Sequence, residues 1–295
     1  MVIINTNDLT DFYKIYLNLI NMGLKEVELT EEQIERYSRQ IVLKEVGGIG
    51  QRRLLSSTIT IIGAGGLGSP VAYYLAAAGI GNLKIVDFDK VDLSNLHRQI
   101  LHFTNDVDKN KTQSAYEKLH QLNPDINIKI YNEAVLPGNI KKILQGSDFV
   151  IDGSDNIPTK MLINDACISL NVPFTIAGVI RFNGQIITVI PTEKTACYRC
   201  IFGDITEHEP SMSCSQAGIV GLIAGIVGCI QANEAIKYLL NVGDLIINRM
   251  LFLDLLKYRF SFVNIVRNEN CLACGDNSID LVSTHEYNIG DACFE

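Results

Sequence analysis

Hydrophobic and polar positions change repeatedly between a strand pattern and a helix pattern from residue 58 to residue 178. Short β-branched and apolar runs are typical of buried strands, and the longer mixed segments between them are typical of helices. The predicted strands are 58–62, 83–88, 126–131, 149–152 and 174–177. The predicted helices are 69–78, 111–122, 139–145 and 158–170. This alternation predicts an α/β fold, with a Rossmann-like, mostly parallel sheet covered by helices on both faces.

The alternation stops after Gly178. Segments 184–190 and 251–263 have the pattern of antiparallel strands, and they enclose a glycine-rich apolar stretch at 217–230. That stretch is shorter than the roughly 20 residues needed to cross a bilayer, so we predict a buried helix. We expect this antiparallel C-terminal portion to cap the first half.

The chain ends add smaller elements. Apolar residues at helical spacing predict a short helix over 8–22, and a capping-box pattern at 30–33 starts a second helix that we expect to end near Gly47. We therefore divide the chain into an extension (1–29), a main domain (30–276) and a tail (277–295). Within the main domain, we assign nucleotide binding to about 58–178 and the antiparallel portion to about 179–276. We expect the tail to be disordered or lightly docked.

Charge and cysteine usage narrow the class of protein. A net charge of −8 over 295 residues argues against nucleic acid or an anionic membrane as partner, because phosphate groups need a basic face. The eight cysteines include two pairs at metal-binding spacing, which favours a reducing, cytoplasmic compartment over disulfides. The first 27 residues lack the apolar core of a signal peptide.

A glycine-rich turn follows the first predicted strand. Residues 63–68 fit G-x-G-x-x-G, and Asp87 follows the next strand at the distance of a ribose-binding acid. Such glycines let the backbone approach phosphate at a helix N-terminus. The motif glycines are Gly63, Gly65, Gly66 and Gly68. An NAD-dependent dehydrogenase uses the same elements, so the nucleotide is not fixed by them.

Charged residues beyond Asp87 favour a triphosphate. Asp89, Asn95, Arg98 and Lys111 follow within a short stretch, and a guanidinium with an ammonium can neutralise charge during attack on an α-phosphorus. Hydride transfer has no need of such a pair. After a later strand, Asp155 is a candidate Mg²⁺ ligand. Its alternative role is the N-cap of the helix that contains Pro158.

The cysteine pairs indicate a metal centre. Two C-x-x-C units supply four thiolates, which suit a closed, tetrahedral, structural zinc site. A single C-x-x-C would equally suit a redox site. The four cysteines are Cys197, Cys200, Cys271 and Cys274.

Several motifs in the same order give the chain a family resemblance. It is similar to the ubiquitin-activating-like adenylyltransferases of the MoeB, ThiF and HesA family over about 35–276. The segments that carry the resemblance are 36–41, 63–68, 87–89, 93–99, 109–111, 152–156 and both cysteine pairs.

The resemblance implies an ATP-dependent enzyme that forms an acyl-adenylate on the C-terminus of a small ubiquitin-like sulfur carrier ending in Gly-Gly. The pathway would be the synthesis of molybdopterin, thiamine or a related product. The resemblance implies that the paired cysteines are ligands of structural Zn²⁺. It also implies a homodimer in which Arg39 reaches the ATP site of the partner subunit. Cys214 matches a cysteine that receives a thioester or persulfide from the carrier in some relatives; the alternative is an inert buried cysteine. The residues that the resemblance assigns to ATP and Mg²⁺ are Gly66, Asp87, Ser94, Asn95, Arg98, Lys111, Asp155 and Asn156.

Two departures from the family pattern qualify the resemblance. Lys160 stands where an arginine is usual, which weakens a bidentate contact. No rhodanese-like segment follows the second cysteine pair, so we expect a separate sulfur donor. The alternatives left open are adenylation of a ribosomal peptide, an NAD-dependent dehydrogenase and a catalytically silent zinc-stabilised scaffold.

Overall fold

A single eight-stranded sheet forms the centre of the molecule, in the order β3-β2-β1-β4-β5-β6-β7-β8. The computed structural model describes residues 28–203 and 218–287. The strands are β1 (Thr58–Ile62), β2 (Asn82–Val86), β3 (Asn127–Tyr131), β4 (Phe149–Asp152), β5 (Phe174–Ile180), β6 (Asn183–Val189), β7 (Arg249–Asp254) and β8 (Arg259–Asn264). Strands β1 to β5 pair in parallel, and β5 to β8 pair antiparallel.

Helices lie on both faces of this sheet, which confirms the predicted α/β class. They are α1 (Glu31–Arg36), α2 (Ser38–Ile41), α3 (Gly47–Ser56), α4 (Gly68–Ala78), α5 (Lys111–Leu122), α6 (Ile140–Leu144), α7 (Ile157–Leu170), α8 (Tyr198–Phe202), α9 (Gly221–Leu240) and α10 (Leu281–Thr284). Short 3₁₀ turns occur at Leu93–Asn95, Thr104–Asp106 and Pro191–Glu193.

Alternate residues of each central strand enter different cores, as the pleat requires. Ile59 and Ile61 of β1 pack with α4, α5 and α9, whereas Ile62 packs with α6 and α7 on the opposite face. Both faces of β1 are therefore covered, which explains its continuous β-branched sequence.

The predicted antiparallel strands are present, and they continue the central sheet from β5 through β8. The predicted strand 251–263 is a hairpin of β7 and β8. Its turn contains neither glycine nor proline. Instead, the Asp254 carboxylate accepts from the N–H groups of Leu256 and Lys257, and Tyr258 adopts a φ of 50°.

The helix predicted from residue 30 is also shorter than expected. The capping box is confirmed, since Thr30 and Gln33 exchange hydrogen bonds, but α1 stops at Arg36 and α3 begins at Gly47. Tyr37 interrupts the helix because it is buried (2% exposed), and a Cβ on Gly79 would lie 2.6 Å from its ring. A tertiary contact therefore overrides the local helical pattern.

The glycine-rich helix α9 is longer than predicted and packs closely on α4. A Cβ on Gly228 would lie 2.5 Å from the carbonyl oxygen of Leu67, so glycine is needed for this approach. Among the described residues, no helix is long and apolar enough to cross a membrane.

The described part of the tail is docked more firmly than expected. Leu281 and Val282 of α10 are buried, and the hydroxyl of Tyr287 donates to the carboxylate of Asp165. The helix predicted over 8–22 lies outside the described residues.

Candidate active site and metal centre

The glycine-rich turn lies where the order of the parallel strands reverses. Strand β1 pairs with β2 on one side and with β4 on the other, so the chain leaves β1 and β4 in opposite directions. In open α/β sheets, ligands bind at the carboxyl ends of the strands at this position. Gly63 has a φ of 93°, and a Cβ there would lie 2.8 Å from the carbonyl oxygen of Gly153. The turns after β1 and β4 are therefore in contact.

Arg98 lies against this turn. A Cβ on Gly66 would be 3.6 Å from Cγ of Arg98 and 3.2 Å from Cβ of Ala224. The guanidinium of Arg98 donates to the carbonyl of Ser94 (3.1 Å) and contacts the ring of His97 (2.8 Å). Arg98 is therefore placed with its stem over the glycines.

The segment that precedes Arg98 is fixed by its own turn. The Asp92 carboxylate accepts from the N–H of Ser94 (2.7 Å), and the Asn95 side chain accepts from the N–H of Asp92, which completes a capping box. Ser94 is exposed and Asn95 is half-buried.

Asp87 holds the turn after β1 from the end of β2. Its carboxylate accepts from the N–H groups of Ala64 (2.7 Å) and Asp89 (2.8 Å). Burial raises the pKa of the Asp87 carboxyl above its ordinary value, and the positive charge of Lys111 opposes this shift. Each carboxylate oxygen keeps a second lone pair, so Asp87 can still accept from ribose hydroxyls.

Lys111 is joined to the same group of residues through Asp89. Its ammonium donates to the Asp89 carboxylate at 2.7 Å, and its backbone N–H donates to the Asp89 carbonyl at 2.9 Å. The Lys111 side chain is 6% exposed and that of Asp89 is 47% exposed. The structure thus connects the glycine turn, both acids and Lys111 by successive contacts.

The turn after β4 carries Asp155 and Asn156. Asn156 is the N-cap of α7 and accepts from the N–H of Thr159 (2.9 Å), so the alternative that Asp155 caps this helix was wrong. Asp155 is exposed. The ammonium of buried Lys160 donates to Asp152, to the Ser154 carbonyl and to the Ala177 carbonyl, each at 2.7 Å. Three donors of a lysine therefore fix the backbone next to Asp155.

Two residues that the sequence did not single out also lie beside the site. Gln99 is 5% exposed, and a Cβ on Gly65 would lie 3.6 Å from its amide nitrogen. Among the described residues, neither its carbonyl oxygen nor the hydroxyl of Thr112, the residue after Lys111, has a hydrogen-bond partner, and both atoms are buried. Both residues directly follow predicted site residues in the chain, but their burial could not be read from the sequence.

These residues fit ATP and Mg²⁺. The glycines would let a phosphate approach the backbone of the turn, and Arg98 and Lys111 are cationic. The buried carbonyl of Gln99 and hydroxyl of Thr112 have hydrogen-bonding capacity that no other described residue uses. Asp155 and Asp89 have partly or fully exposed carboxylates, which are the donors that Mg²⁺ takes together with phosphate and water.

Four cysteine sulfurs form a separate cluster on the α6 and α7 face. The Sγ distances are 3.8 Å for Cys197 and Cys200, 3.7 Å for Cys197 and Cys271, and 3.4 Å for Cys200 and Cys274. Four sulfurs about 2.3 Å from a tetrahedral zinc ion would be about 3.8 Å apart. The cluster can therefore hold a metal ion, and all four ligand atoms lie within 4.8 Å of one another.

Outer contacts hold the first cysteine pair on α7. The Asn164 side chain accepts from the N–H of Tyr198 (2.9 Å) and donates to Sγ of Cys197 (3.8 Å). Next to it, Asp165 accepts two hydrogen bonds from the guanidinium of Arg199, at 2.8 and 2.7 Å, with both side chains buried.

Two predicted site residues are not brought to this crevice in the described chain. Arg39 is exposed on α2, and its assignment concerns a partner subunit, so it stays a prediction. Cys214 lies outside the described residues.

The fold and site are those of a nucleotide-binding α/β protein with a cluster of four cysteines that can hold a metal ion. The ThiF family model matches residues 37–273, and the chain belongs to the ThiF family. This confirms the resemblance drawn from the sequence motifs.

Similar curated proteins cover most of the chain. The SAMP-activating enzyme E1 of Haloferax volcanii is 41% identical over 261 residues, covering 88% of this chain and 96% of that protein. The sulfur carrier protein adenylyltransferase of Thermus thermophilus is 39% identical, covering 84% and 93%. The adenylyltransferase and sulfurtransferase MOCS3-1 of Zea mays is 40% identical over 85% of this chain, which spans 54% of that relative.

Solved structures share the fold at lower identity. E. coli MccB with MccA-N7isoASN is 23% identical, with a TM-score of 0.71 over 82% of this chain and 75% of that one. PaaA is 22% identical, with a TM-score of 0.66 over 88% and 83%. At this level of identity, the likeness concerns the fold.

Proposed function

We propose that this protein is an ATP-dependent adenylyltransferase that activates the C-terminal carboxylate of a small ubiquitin-like sulfur carrier. The observation that carries the proposal is the attachment of two cations to one glycine turn: Arg98 by packing on Gly66, and Lys111 through Asp89 and Asp87. Relatives at 39% and 41% identity, named as a sulfur carrier adenylyltransferase and a SAMP-activating enzyme, support the substrate class.

The reaction is a displacement at the α-phosphorus of ATP. A carboxylate oxygen of the carrier forms the new bond, and the bond from the α-phosphorus to the oxygen bridging to the β-phosphorus breaks. Pyrophosphate leaves with that electron pair. Negative charge grows on the phosphate oxygens during the step, and Arg98 and Lys111 are the groups that neutralise it.

The other site residues bind and orient ATP. Asp87 accepts from the ribose hydroxyls, while Ser94, Asn95 and Asn156 contribute polar contacts beside the phosphates. Asp155 would hold Mg²⁺, which would supply further charge neutralisation on the phosphates when bound. The Cys197, Cys200, Cys271 and Cys274 cluster would hold zinc in a structural role, because four thiolates leave no open position.

The proposed assembly is a homodimer in which Arg39 reaches the ATP site of the partner subunit. The proposed carrier ends in Gly-Gly, as the family resemblance implies. Sulfur comes from a separate donor protein, and Cys214 is a candidate for covalent sulfur exchange. The compartment is the cytoplasm, where free thiols persist.

Adenylation of a ribosomal peptide is the second candidate and is less favoured. The relatives with about 40% identity are named for sulfur carriers, whereas the likeness to MccB is confined to the fold. Membership of the ThiF family and the paired cations also disfavour an NAD-dependent dehydrogenase.

The proposal is tested by mass spectrometry of candidate carriers after incubation with the protein, ATP and Mg²⁺. A Gly-Gly carrier should gain one adenylyl group at its C-terminus, and the same carrier without its last two residues should not. Adenylylation of a short peptide and of no carrier would favour the second candidate.

A further inference from the structure

A buried histidine lies beneath the glycine turn and contacts its backbone. His102 is 3% exposed, and its Nε2 is 2.9 Å from the carbonyl oxygen of Ala64. Its Nδ1 is 2.9 Å from the hydroxyl of Ser114 on α5. Both ring nitrogens therefore have partners within the protein, so the ring is not free to ligate a metal or to contact a substrate.

The hydrogen-bond partners fix the tautomer of His102. A carbonyl oxygen can only accept, so Nε2 carries the proton. The Ser114 hydroxyl oxygen accepts from the ammonium of Lys118 (2.9 Å), so the hydroxyl proton of Ser114 is available to donate to Nδ1 of His102. Burial lowers the pKa of His102 from 6.5 to about 4, so the ring stays neutral near neutral pH.

Lys118 is itself held in place. Its ammonium pairs with the carboxylate of Asp106, which also accepts from the N–H of Phe103 (2.8 Å). Asp106, Lys118, Ser114 and His102 thus form a continuous chain of hydrogen bonds from the 3₁₀ turn at 104–106 to the Ala64 carbonyl. Ser114 belongs to α5, the helix whose first residue is Lys111.

This chain determines which way the glycine turn presents its amides. The carbonyl and N–H of a trans peptide point in opposite directions. Because the Ala64 carbonyl points down to buried His102, the N–H of Gly65 points away from the protein interior. Asp87 holds the N–H of Ala64 at the same time, so two side chains fix the peptides on both sides of this residue.

We propose that His102 is a positioning residue for the nucleotide. It fixes the Ala64–Gly65 peptide with the Gly65 N–H directed to the phosphates, and ties the turn to the helix that bears Lys111. This inference rests on the proposed function in one respect: the ligand of the turn is ATP.

The test compares His102→Ala, His102→Gln and Ser114→Ala with the wild type. His120→Ala is the matched control, because His120 is an exposed histidine on α5, the helix that contains Ser114. Glutamine can place an amide N–H near the position of Nε2, so it is the rescue variant. ATP affinity with Mg²⁺ is measured by calorimetry without any carrier, and KM and kcat are measured in carrier-dependent pyrophosphate exchange.

We expect His102→Ala to weaken ATP binding about tenfold, as for loss of one buried hydrogen bond, with KM for ATP raised and kcat little changed. His102→Gln should recover binding to within about threefold of the wild type, and Ser114→Ala should lose about threefold. The control should bind as the wild type does. In wild-type protein, ¹⁵N NMR should show a neutral ring protonated at Nε2.

Equal ATP affinity of folded His102→Ala and wild type would overturn the inference, as would equal losses in the alanine and glutamine variants. If His102→Ala does not fold, Ser114→Ala tests the inference instead, and an unchanged ATP affinity of Ser114→Ala would overturn the inference. Wild-type protein that binds ATP but adenylylates no carrier contradicts the proposed function alone. The role of His102 is decided by the ATP affinity of each variant relative to that of the wild type.

Discussion

The ammonium of Lys111 lies 2.7 Å from the Asp89 carboxylate, and the two residues are also joined through the Lys111 N–H. Because the Lys111 side chain is nearly buried and its ammonium is bonded to half-exposed Asp89, the ammonium is held with little side-chain freedom. A cation that is already oriented costs less entropy to engage than a mobile surface lysine.

Lys111→Ala should therefore reduce carrier-dependent pyrophosphate exchange by about 100-fold or more, the usual loss when one group that stabilises transition-state charge is removed. Lys129→Ala, at an exposed lysine on β3, is the control and should retain full activity. Wild-type exchange by Lys111→Ala would remove the assigned role of this residue.

Gly66→Ala should weaken ATP binding about tenfold with a small effect on the melting temperature. The added Cβ would lie 3.2 Å from Ala224 and 3.6 Å from Cγ of Arg98, so it enters the space between the turn and the guanidinium stem. Gly138→Ala, where a Cβ meets no atom of the described residues within 4 Å, should bind ATP normally. Calorimetric titration with ATP measures both. Equal affinities would contradict close approach of the nucleotide at Gly66.

Cys271→Ser should abolish stoichiometric zinc binding and lower the melting temperature. The purified wild-type protein should carry about one zinc ion per chain, as four thiolates at these separations predict. Elemental analysis and thermal unfolding check both points, and Cys167→Ser, a buried cysteine outside the cluster, controls for the loss of a thiol. Full zinc content in the Cys271 variant would refute the assigned ligand set.

Arg199→Ala should lower the free energy of unfolding by about 3–5 kcal/mol, because it leaves the Asp165 carboxylate buried without its main partner. Lys141→Ala breaks the exposed pair with Asp280 and should cost less than about 1 kcal/mol. Chemical denaturation measures both differences. A similar small cost for the two variants would show that the Arg199 pair contributes no more than a surface pair.

Acidification should destabilise the wild type partly through His102. The folded pKa of about 4 lies below the ordinary 6.5, so the unfolded chain binds this proton first as the pH falls. The neutral ring contributes about 3 kcal/mol to the free energy of unfolding. This contribution is fully present above pH 6.5 and is lost as the pH falls from 6.5 to 4. Unfolding experiments at pH 7 and pH 4 should show a smaller acid-induced loss in His102→Gln. Identical losses would place the His102 pKa near its ordinary value.

Much of the fold could be predicted because its strands and helices have contrasting periods. Helix 111–122 and strand 149–152 match the structure to the residue. The break at Tyr37 could not be predicted, since it depends on packing against Gly79, far along the chain. The turn between β7 and β8 was missed because Asp254 and Tyr258 form it without glycine or proline.

The site shows the same division. Motif spacing predicts the glycine turn, the acids and the cysteine pairs, because each motif is local in sequence. His102 contacts Ala64 and Ser114, which are 38 and 12 residues away in the chain, so no local motif could reveal its position under the turn.

The most direct test of the account is ATP and pyrophosphate exchange in the presence of Mg²⁺, with and without candidate carriers ending in Gly-Gly. The account predicts exchange that depends on one such carrier and that disappears when its terminal Gly-Gly is removed. Exchange absent with every carrier, together with exchange supported by a ribosomal peptide, would contradict the proposed substrate.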